Sequence, residues 1–459
     1  MFETIKNCLK NKEIRKKLLW VLLWLVVFRI GCYIPVPGLK TTEFSNAIEG
    51  NSFLGLLSSI TGGSLANGTL FALGIGPYIN ASIIVQLLCF GIPALEALSK
   101  QGEEGRKKIA MITRYITIVL AVLQSIGIIV TFANNNDAIN VVLFGSSVIG
   151  RTAAMWLAGI YMTVIYTAGS CLVMWIGDRI TDQGVGNGIS MVIFVGILST
   201  AGQTIISKVY SSDAGVNSWI SWNSTQGLYI KSWGAFGSLI LFLVLAVLIF
   251  FAIVFVDLSE RKIPVNYAKQ VKGRKMYGGQ SSTIPMKITG GGVMPLIFTF
   301  AIISIVPMIT NMFWADSAFA EWLAKWFSGS SQYWYGRLIY SIVMCALIFG
   351  LSFLYAMMQF NPDDVSRTIQ QNGGFIQGIR PGKPTCDYLK KINRRITLFG
   401  AIFLALVAFL PSLIFSFASS DLVNVFSTTG ILIIVSVALE FDKQLEAQLM
   451  MKNYRGFLK

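Results

Sequence analysis

Long apolar runs separated by short polar segments dominate the sequence. A transmembrane helix needs about 20 mostly apolar residues. Nine runs approach or exceed that length and lie at 18–36, 109–132, 153–176, 188–206, 236–257, 290–312, 337–359, 396–417 and 424–441. A tenth span is predicted at 75–95. The pattern therefore predicts an all-α polytopic membrane protein with ten transmembrane helices.

The segment before the second span is apolar but interrupted. Residues 53–60 are too few to cross a bilayer at about 1.5 Å per residue. Glycine and proline then break the run, at Gly62, Gly63, Gly68, Gly74, Gly76 and Pro77. Irregular backbone at membrane depth is tolerated only where protein or a water-filled cavity covers it. We therefore expect 53–67 to be a re-entrant segment that enters the membrane without crossing it.

Basic residues are distributed unevenly between the two sides of these spans. If the N-terminus lies inside, the inner segments hold 30 of the 37 Lys and Arg residues, and the outer loops hold six. Cytoplasmic loops are the ones enriched in Lys and Arg. The bias predicts that both termini and all the basic clusters are cytoplasmic.

The composition excludes several classes of protein. The 459 residues are 54% hydrophobic and 13% charged, with a mean hydropathy of +0.64, whereas soluble domains are about 25% charged. There is no histidine, and the six cysteines form no CxxC pair. The glycine run at 184–188 follows a span instead of a strand, so we interpret it as a tight inner turn that starts the fifth span close against its neighbours. We therefore expect no catalytic residues, metal site, disulfide framework or cofactor.

The ten predicted spans divide at the long polar outer loop 207–235. Five spans on each side is an odd number, so a structural repeat between the halves must be inverted. We therefore expect an N-terminal half at 1–206 and a C-terminal half at 236–459, divided by this loop.

Arg29 is the one clear ionisable residue inside a predicted span. Its side chain either extends to the outer surface, which we favour, or marks a functional polar site. No Asp or Glu lies in the middle of a span. This disfavours an ion-coupled carrier, although an inverted-repeat secondary solute transporter stays open as the alternative, and a membrane scaffold would not explain the broken segment.

Two long inner loops, 258–287 and 360–395, carry seven cations each. Such loops could simply fix topology and attract anionic lipid. Their length and interleaved aromatic residues equally suit a docking surface for RNA or an acidic protein.

Four tracts of the chain carry a specific pattern. They read FALGIGPYI at 71–79, GNGIS at 186–190, PVNYAK at 264–269 and GIRPG at 378–382. In content and order these tracts resemble the SecY family, the channel subunit of the bacterial Sec protein translocase. The resemblance extends from the first span to the last, and implies two inverted five-helix halves around an hourglass pore in the bacterial plasma membrane. It also implies that the outer loop 207–235 is the hinge between the halves.

The resemblance also implies roles for individual residues. It implies a plug at about 53–67 that includes Phe53, Leu54, Leu57, Ile60 and Leu65. It implies a pore ring of Ile75, Ile79, Ile189, Ile193, Ile297 and Ile433, which would seal against ions because wetting it is unfavourable. It implies a lateral gate between spans two, three, seven and eight, with Gln86 and Thr289 at gate positions.

The family's partners follow from the same resemblance. Arg274, Lys275 and Arg380 match residues that dock the motor ATPase SecA and the ribosome. The small subunits SecE and SecG, signal peptides, preproteins and membrane lipid are the other implied partners. The sequence departs from the family pattern at Gly76, where a bulkier residue is common, and at Thr289, where asparagine is usual. The implied activity is passive conduction of unfolded chains across the membrane, and their lateral release into it, powered by SecA or the ribosome.

Overall fold

The computed structural model describes most of the helical chain. The described residues are 10–39, 58, 61–133, 151–183, 186–211, 220–223, 227–230, 233–267, 270–272, 275–277, 281–288, 294–313, 317–326, 334–418 and 428–456. The helices are α1 (Lys12–Gly31), α2 (Gly76–Gly91), α3 (Pro93–Ser99), α4 (Glu103–Ala133), α5 (Arg151–Asp182), α6 (Gly188–Val209), α7 (Trp233–Leu258), α8 (Met294–Phe313), α9 (Ala318–Trp326), α10 (Trp334–Gln359), α11 (Pro362–Gln371), α12 (Lys383–Ala418) and α13 (Thr428–Gly456). Every predicted span overlaps one of these helices.

Two predicted spans end earlier than the apolar pattern indicated. The first, predicted at 18–36, is helical only to Gly31. The second, predicted at 75–95, stops at Gly91, and α3 turns away from α2 by 106°. The cause is Pro93, because the residue before a proline is pushed out of the helical region, and Ile92 is extended at φ −108° and ψ 114°.

The number of spans can also be judged from helix length and apolar content. Within the described residues, four helices are long and apolar enough to cross a membrane by this measure, in α4, α5, α10 and α12, and the bent pair α2–α3 makes a fifth. The count of ten spans therefore stays a prediction, although it agrees with the ten helices that overlap the predicted spans.

Helix packing links the two predicted halves along two lines. On one side, α8 packs against α2 and α4, and on the other, α6 packs against α13. Within the first half, α4 packs on α2 and α5, while α1 packs on α5 and α6. Within the second, α10 packs on α8 and α12, and α7 packs on α13. The halves thus meet through α2, α4, α6, α8 and α13.

Short strands outside the predicted spans modify the all-α expectation. They are β1 (Tyr210–Ser211), β2 (Ile220–Asn223), β3 (Gly227–Ile230), β4 (Glu260–Tyr267), β5 (Gln270–Lys272), β6 (Lys275–Tyr277), β7 (Ser281–Lys287) and β8 (Gly374–Ile376). β1–β3 form one three-stranded sheet, β7–β4–β8 a second, and β5–β6 a hairpin. The transmembrane architecture stays helical, because strands without closed pairing cannot satisfy their backbone in lipid.

Candidate functional site

The six isoleucines of the predicted ring share the largest apolar cluster of the described residues. Ile75, Ile193 and Ile433 are buried within it, and Ile79, Ile189 and Ile297 pack partly buried against it. They come from the start of α2, from α6, from α8 and from α13. Helices of both predicted halves therefore bring these side chains to one region, although the cluster also holds many residues outside the predicted ring.

The segment before α2 folds into consecutive turns that supply their own hydrogen bonds. The Ser64 Oγ, fully buried, lies 2.8 Å from the carbonyl oxygens of both Thr61 and Phe71, so its one proton can bond either of them. The Thr69 hydroxyl donates to the Ser64 carbonyl at 3.0 Å. Small hydroxyl side chains thus replace the bonds that a continuous helix would make. Leu65 of the predicted plug is fully buried here; Phe53, Leu54, Leu57 and Ile60 lie outside the described residues.

Two close approaches seat this segment against neighbouring helices. A Cβ on Gly62, whose φ is +75°, would lie 3.1 Å from the Cα of Gly196 on α6. A Cβ on Gly169 of α5 would lie 2.0 Å from the carbonyl oxygen of Leu70. At its other end the segment pairs with the chain after α1, because the amide of Val36 donates to Gly68 at 3.0 Å. Glycine is required where backbones approach this closely.

The side chain of Arg29 contacts this segment. Its guanidinium donates to the carbonyl of Gly62 at 3.0 Å and to the hydroxyl of Tyr33 at 3.2 Å. The side chain is half-buried, and the expectation that it extends to the outer surface stays a prediction. The sequence marked the residue by its charge in an apolar run but could not identify its partner, which lies 33 positions away.

A second apolar cluster fills the seam between α2, α8 and α10. Ile83 of α2, Phe298 of α8 and Leu351 of α10 are buried in it. The Phe298 ring packs edge-on against Tyr355, with centroids 5.9 Å apart. Of the predicted gate residues, Gln86 is half-buried on α2 and donates to the Ser82 hydroxyl at 3.2 Å, and Thr289 lies outside the described residues.

The two basic inner loops form one folded unit. Strand β4 of the first loop pairs with β8 of the second, with Val265 opposite Ile376. Beneath the sheet, Ile263, Val265 and Ile369 share a buried cluster with Leu389 at the start of α12. This pairing was not predicted from the sequence. Its signal there is the alternation of apolar Ile263 and Val265 with Lys262 and Pro264, and the two apolar side chains are the buried ones.

Arg380 projects from a turn that is fixed on both sides. Gly378 and Gly382 take positive φ values of +82° and +103°, and the Arg380 carbonyl accepts from the Thr385 hydroxyl at 2.8 Å. Its side chain is exposed. Of the other predicted docking residues, Lys275 begins strand β6, and Arg274 lies outside the described residues.

An acidic side chain fastens α11 to α12 beside this turn. Asp363 accepts from the Cys386 thiol at 2.9 Å and from the Lys390 ammonium at 3.2 Å. These bonds, the thiol first and then the ammonium, hold the pKa of Asp363 below its usual range. The bond to the carboxylate also raises the pKa of the Cys386 thiol. Within the described part of the chain, no group of Cys, Asp and Glu side chains could hold a metal ion.

The glycine run before the fifth span makes the predicted close approach. Helix α6 begins at Gly188, where a Cβ would lie 2.0 Å from the carbonyl oxygen of Gly177 on α5. Gly186 has a positive φ of +96°. The expectation of a tight turn against a neighbouring helix is confirmed at the described residues 186–188.

Comparisons with known proteins agree over the whole chain. The SecY family model matches residues 69–441. Protein translocase subunit SecY of Halalkalibacterium halodurans is 38% identical over 463 residues, and that of Streptomyces coelicolor is 37% identical over 465; both alignments cover 100% of each chain.

Solved structures show the same fold at low identity. A SecY structure concerned with the plug domain, which stabilises the closed state of that translocation channel, has a TM-score of 0.63 at 19% identity and covers 94% of this chain and 91% of that one. Canine Sec61 in a ribosome–channel complex has a TM-score of 0.58 at 17% identity, with the same coverage. The chain belongs to the SecY family, and it is therefore a membrane channel subunit for protein translocation, not an enzyme or a solute carrier.

Proposed function

We propose that this chain is the passive pore of a bacterial plasma-membrane translocase, with both termini in the cytoplasm. Unfolded secretory chains cross through its centre, and transmembrane segments leave sideways between its halves. The observation that carries this proposal is the meeting of six isoleucines from both predicted halves in one apolar cluster. Branched apolar side chains close around a peptide without binding it, and a dry constriction resists ions.

The contact between α2 and α8 supports the proposal that a lateral gate lies between these helices. It is apolar and buried at Ile83, Phe298 and Leu351, and it lies where the two predicted halves are in contact. Because hydrophobic contacts have no directional bonds to break, such a seam can part and re-form against the apolar side chains of a signal peptide. Gln86 and Thr289 are the proposed polar positions beside it.

The paired inner loops support docking of an external energy source, because the pore itself has no chemistry to drive movement. The sheet β7–β4–β8 and helix α11 hold the two loops as one cytoplasmic platform. Arg380 projects from it on a fixed turn, which suits a guanidinium that pairs with phosphate or carboxylate groups. We propose SecA and the ribosome as the partners of Arg274, Lys275 and Arg380, and SecE and SecG as companion subunits.

The docking role is tested by charge reversal on the platform. The chain is reconstituted with the small subunits in vesicles, and SecA-driven uptake of a preprotein is measured. Arg380→Glu should abolish most uptake, whereas Arg367→Glu, at an exposed position on α11 of the same platform, should leave most of it. Normal uptake by Arg380→Glu would exclude this docking role.

The ring is tested separately by ion conductance. Replacing Ile193 and Ile433 with glycine removes buried branched side chains from two helices that belong to different predicted halves. Resting conductance in planar bilayers should then rise, because water enters a wider and less apolar constriction. Conductance equal to that of the wild type would remove these residues from the proposed ring.

A further inference from the structure

The turn segment at 61–70 is attached to its surroundings differently at its two ends. At the 68–70 end, backbone bonds join it to the chain after α1: the Val36 amide donates to Gly68 at 3.0 Å, and the Leu70 amide donates to Ile34 at 2.9 Å. At the 62–63 end, the bond to another part of the chain comes from a side chain, the guanidinium of Arg29, which donates to the Gly62 carbonyl.

Arg29 is held in position by an aromatic neighbour and a second helix. Its guanidinium lies 5.0 Å from the centre of the Tyr33 ring and donates to the Tyr33 hydroxyl. The same hydroxyl accepts from the amide of Gln203 on α6 at 3.0 Å. The arrangement therefore joins α1, α6 and the turn segment through Arg29, Tyr33 and Gln203.

The glycine pair at 62–63 allows the segment to lie directly on α6. A Cβ on Gly62 would come within 3.0 Å of the Arg29 guanidinium and 3.1 Å of the Gly196 Cα. A Cβ on Gly63 would lie 3.6 Å from Cγ2 of Thr200. Both glycines have positive φ values, +75° and +80°. The backbone conformation that brings the Gly62 carbonyl to Arg29 is thus one that other residues adopt only with strain.

Electrostatics makes this contact stronger than an ordinary side-chain bond. Among the salt bridges of the described residues, none includes Arg29, and its guanidinium donates there to the neutral oxygens of Gly62 and Tyr33, with the Cys32 thiol as a further neighbour. A half-buried cation gains from such acceptors, because a charged donor makes a stronger hydrogen bond than a neutral one. Movement of the segment away from α6 would break the bond to Gly62 and leave Arg29 with its neighbours Tyr33 and Cys32.

We propose that Arg29 is a positioning residue for the plug. It fixes the 62–63 end of the segment on α6 in the closed channel, and the paired 68–70 end acts as the pivot when the segment leaves. This rests on the proposed channel function, in which the segment closes the pore. Opening must then break one charge-assisted hydrogen bond. Loss of such a bond typically changes an equilibrium constant roughly ten- to hundredfold, here the one between the closed and the open channel.

The test compares resting conductance of the reconstituted complex in planar bilayers. Arg29→Gln removes the charge and should raise resting conductance roughly tenfold or more, and Arg29→Lys, which keeps the charge but loses the planar fork, should give a smaller rise. Arg179→Gln is the control, because it removes a positive charge from α5 where the guanidinium lies over Trp175. Thermal unfolding of each variant, followed by tryptophan fluorescence, shows whether it is folded.

A reversible crosslink separates plug movement from general damage. Cysteines replace Gly63 and Thr200, where a Cβ on residue 63 would lie 3.6 Å from Cγ2 of Thr200, in a chain whose six native cysteines are alanine. In the Arg29→Gln background, oxidation should abolish the added conductance and reduction should restore it. The crosslinked pair without the Arg29 change shows that the disulfide itself causes no leak.

The outcomes distinguish the positioning role from the channel function. Conductance of Arg29→Gln equal to that of the wild type and Arg179→Gln would overturn the proposal, as would a leak that persists after crosslinking. Preprotein uptake is measured on the same wild-type vesicles. Failure there would refute the proposed function itself, whereas normal uptake with a silent Arg29→Gln variant would refute only the role of Arg29.

Discussion

Phe298 offers a direct test of the seam between the two halves. Phe298→Ala removes a side chain that is 5% exposed in the cluster with Ile83 and Leu351. Truncating a buried Phe costs about 3–5 kcal/mol. Its partners Leu351 and Tyr355 lie on α10 of the same predicted half, and we expect those contacts to survive gate opening. The contact with Ile83 on α2 supplies the rest of this free energy, and that contact is lost when α2 and α8 separate.

The effect of Phe298→Ala on gating depends on how the truncation cost is divided between the contacts on α10 and on α2. If about half of the truncation cost falls on the contact with α2, the closed state loses roughly 1.5–2.5 kcal/mol relative to the open state. That shifts the balance between the two states by more than about tenfold. The edge-on pair with Tyr355, typically worth about 0.5–1.5 kcal/mol, persists in both states and does not contribute to the shift.

The assay is export of a precursor with a defective signal sequence, together with resting conductance. Phe298→Ala should raise both, since less signal-peptide binding is needed to part the seam. Phe399→Ala is the matched control, because the same atoms are removed from a side chain on α12 that is 55% exposed. Equal behaviour of the two variants would refute the idea that the seam at Phe298 holds the gate closed.

Further expectations concern two glycines and one carboxylate. Gly188→Ala should lower the unfolding temperature in detergent, because its Cβ would overlap the Gly177 carbonyl oxygen and overpacking costs about 1–3 kcal/mol. Gly76→Ala, where nothing lies within 4 Å of the added carbon, should be neutral or up to about 1 kcal/mol stabilising; equal losses in both variants would contradict this. The pKa of the Asp363 carboxyl is lowered, so the bonds that it accepts from α12 stabilise the fold fully above its usual pKa of 3.8. That stabilisation is lost as the pH falls through the lower pKa of the folded state. Asp363→Asn should abolish this dependence of stability on pH. At neutral pH it should also speed alkylation of Cys386, because the carboxylate raises the pKa of that thiol. An alkylation rate with the same dependence on pH in both proteins would exclude the contact.

Much of the architecture could be predicted from one-dimensional patterns. The apolar runs located the helices, because each span must satisfy its backbone internally and present apolar side chains to lipid. The glycine run before α6 predicted its close packing on α5, since only glycine allows the Gly188 backbone to approach the Gly177 carbonyl. The breaks at α1 and α2 were missed, although Pro35 and Pro93 were visible signals.

Two contacts between segments far apart in the chain could not be predicted from the sequence. The strands β4 and β8 are about 110 positions apart, and their pairing depends on backbone hydrogen bonds that carry no residue-specific signal. The bond from Arg29 to the Gly62 carbonyl could not be predicted for the same reason. A charged residue in an apolar run shows that a partner is needed, but not which carbonyl will supply it.

The sequence by itself located the helices, predicted which segments cross the membrane and which ends face the cytoplasm, and identified the family to which the chain belongs. Those properties depend on local apolar content, the placement of charge and short motifs. Only the tertiary structure decided that the isoleucines of α2, α6, α8 and α13 meet, that the two basic loops form one platform, and that Arg29 binds the Gly62 carbonyl. Each of these is a contact between segments far apart in the chain, and such contacts follow from how whole helices pack.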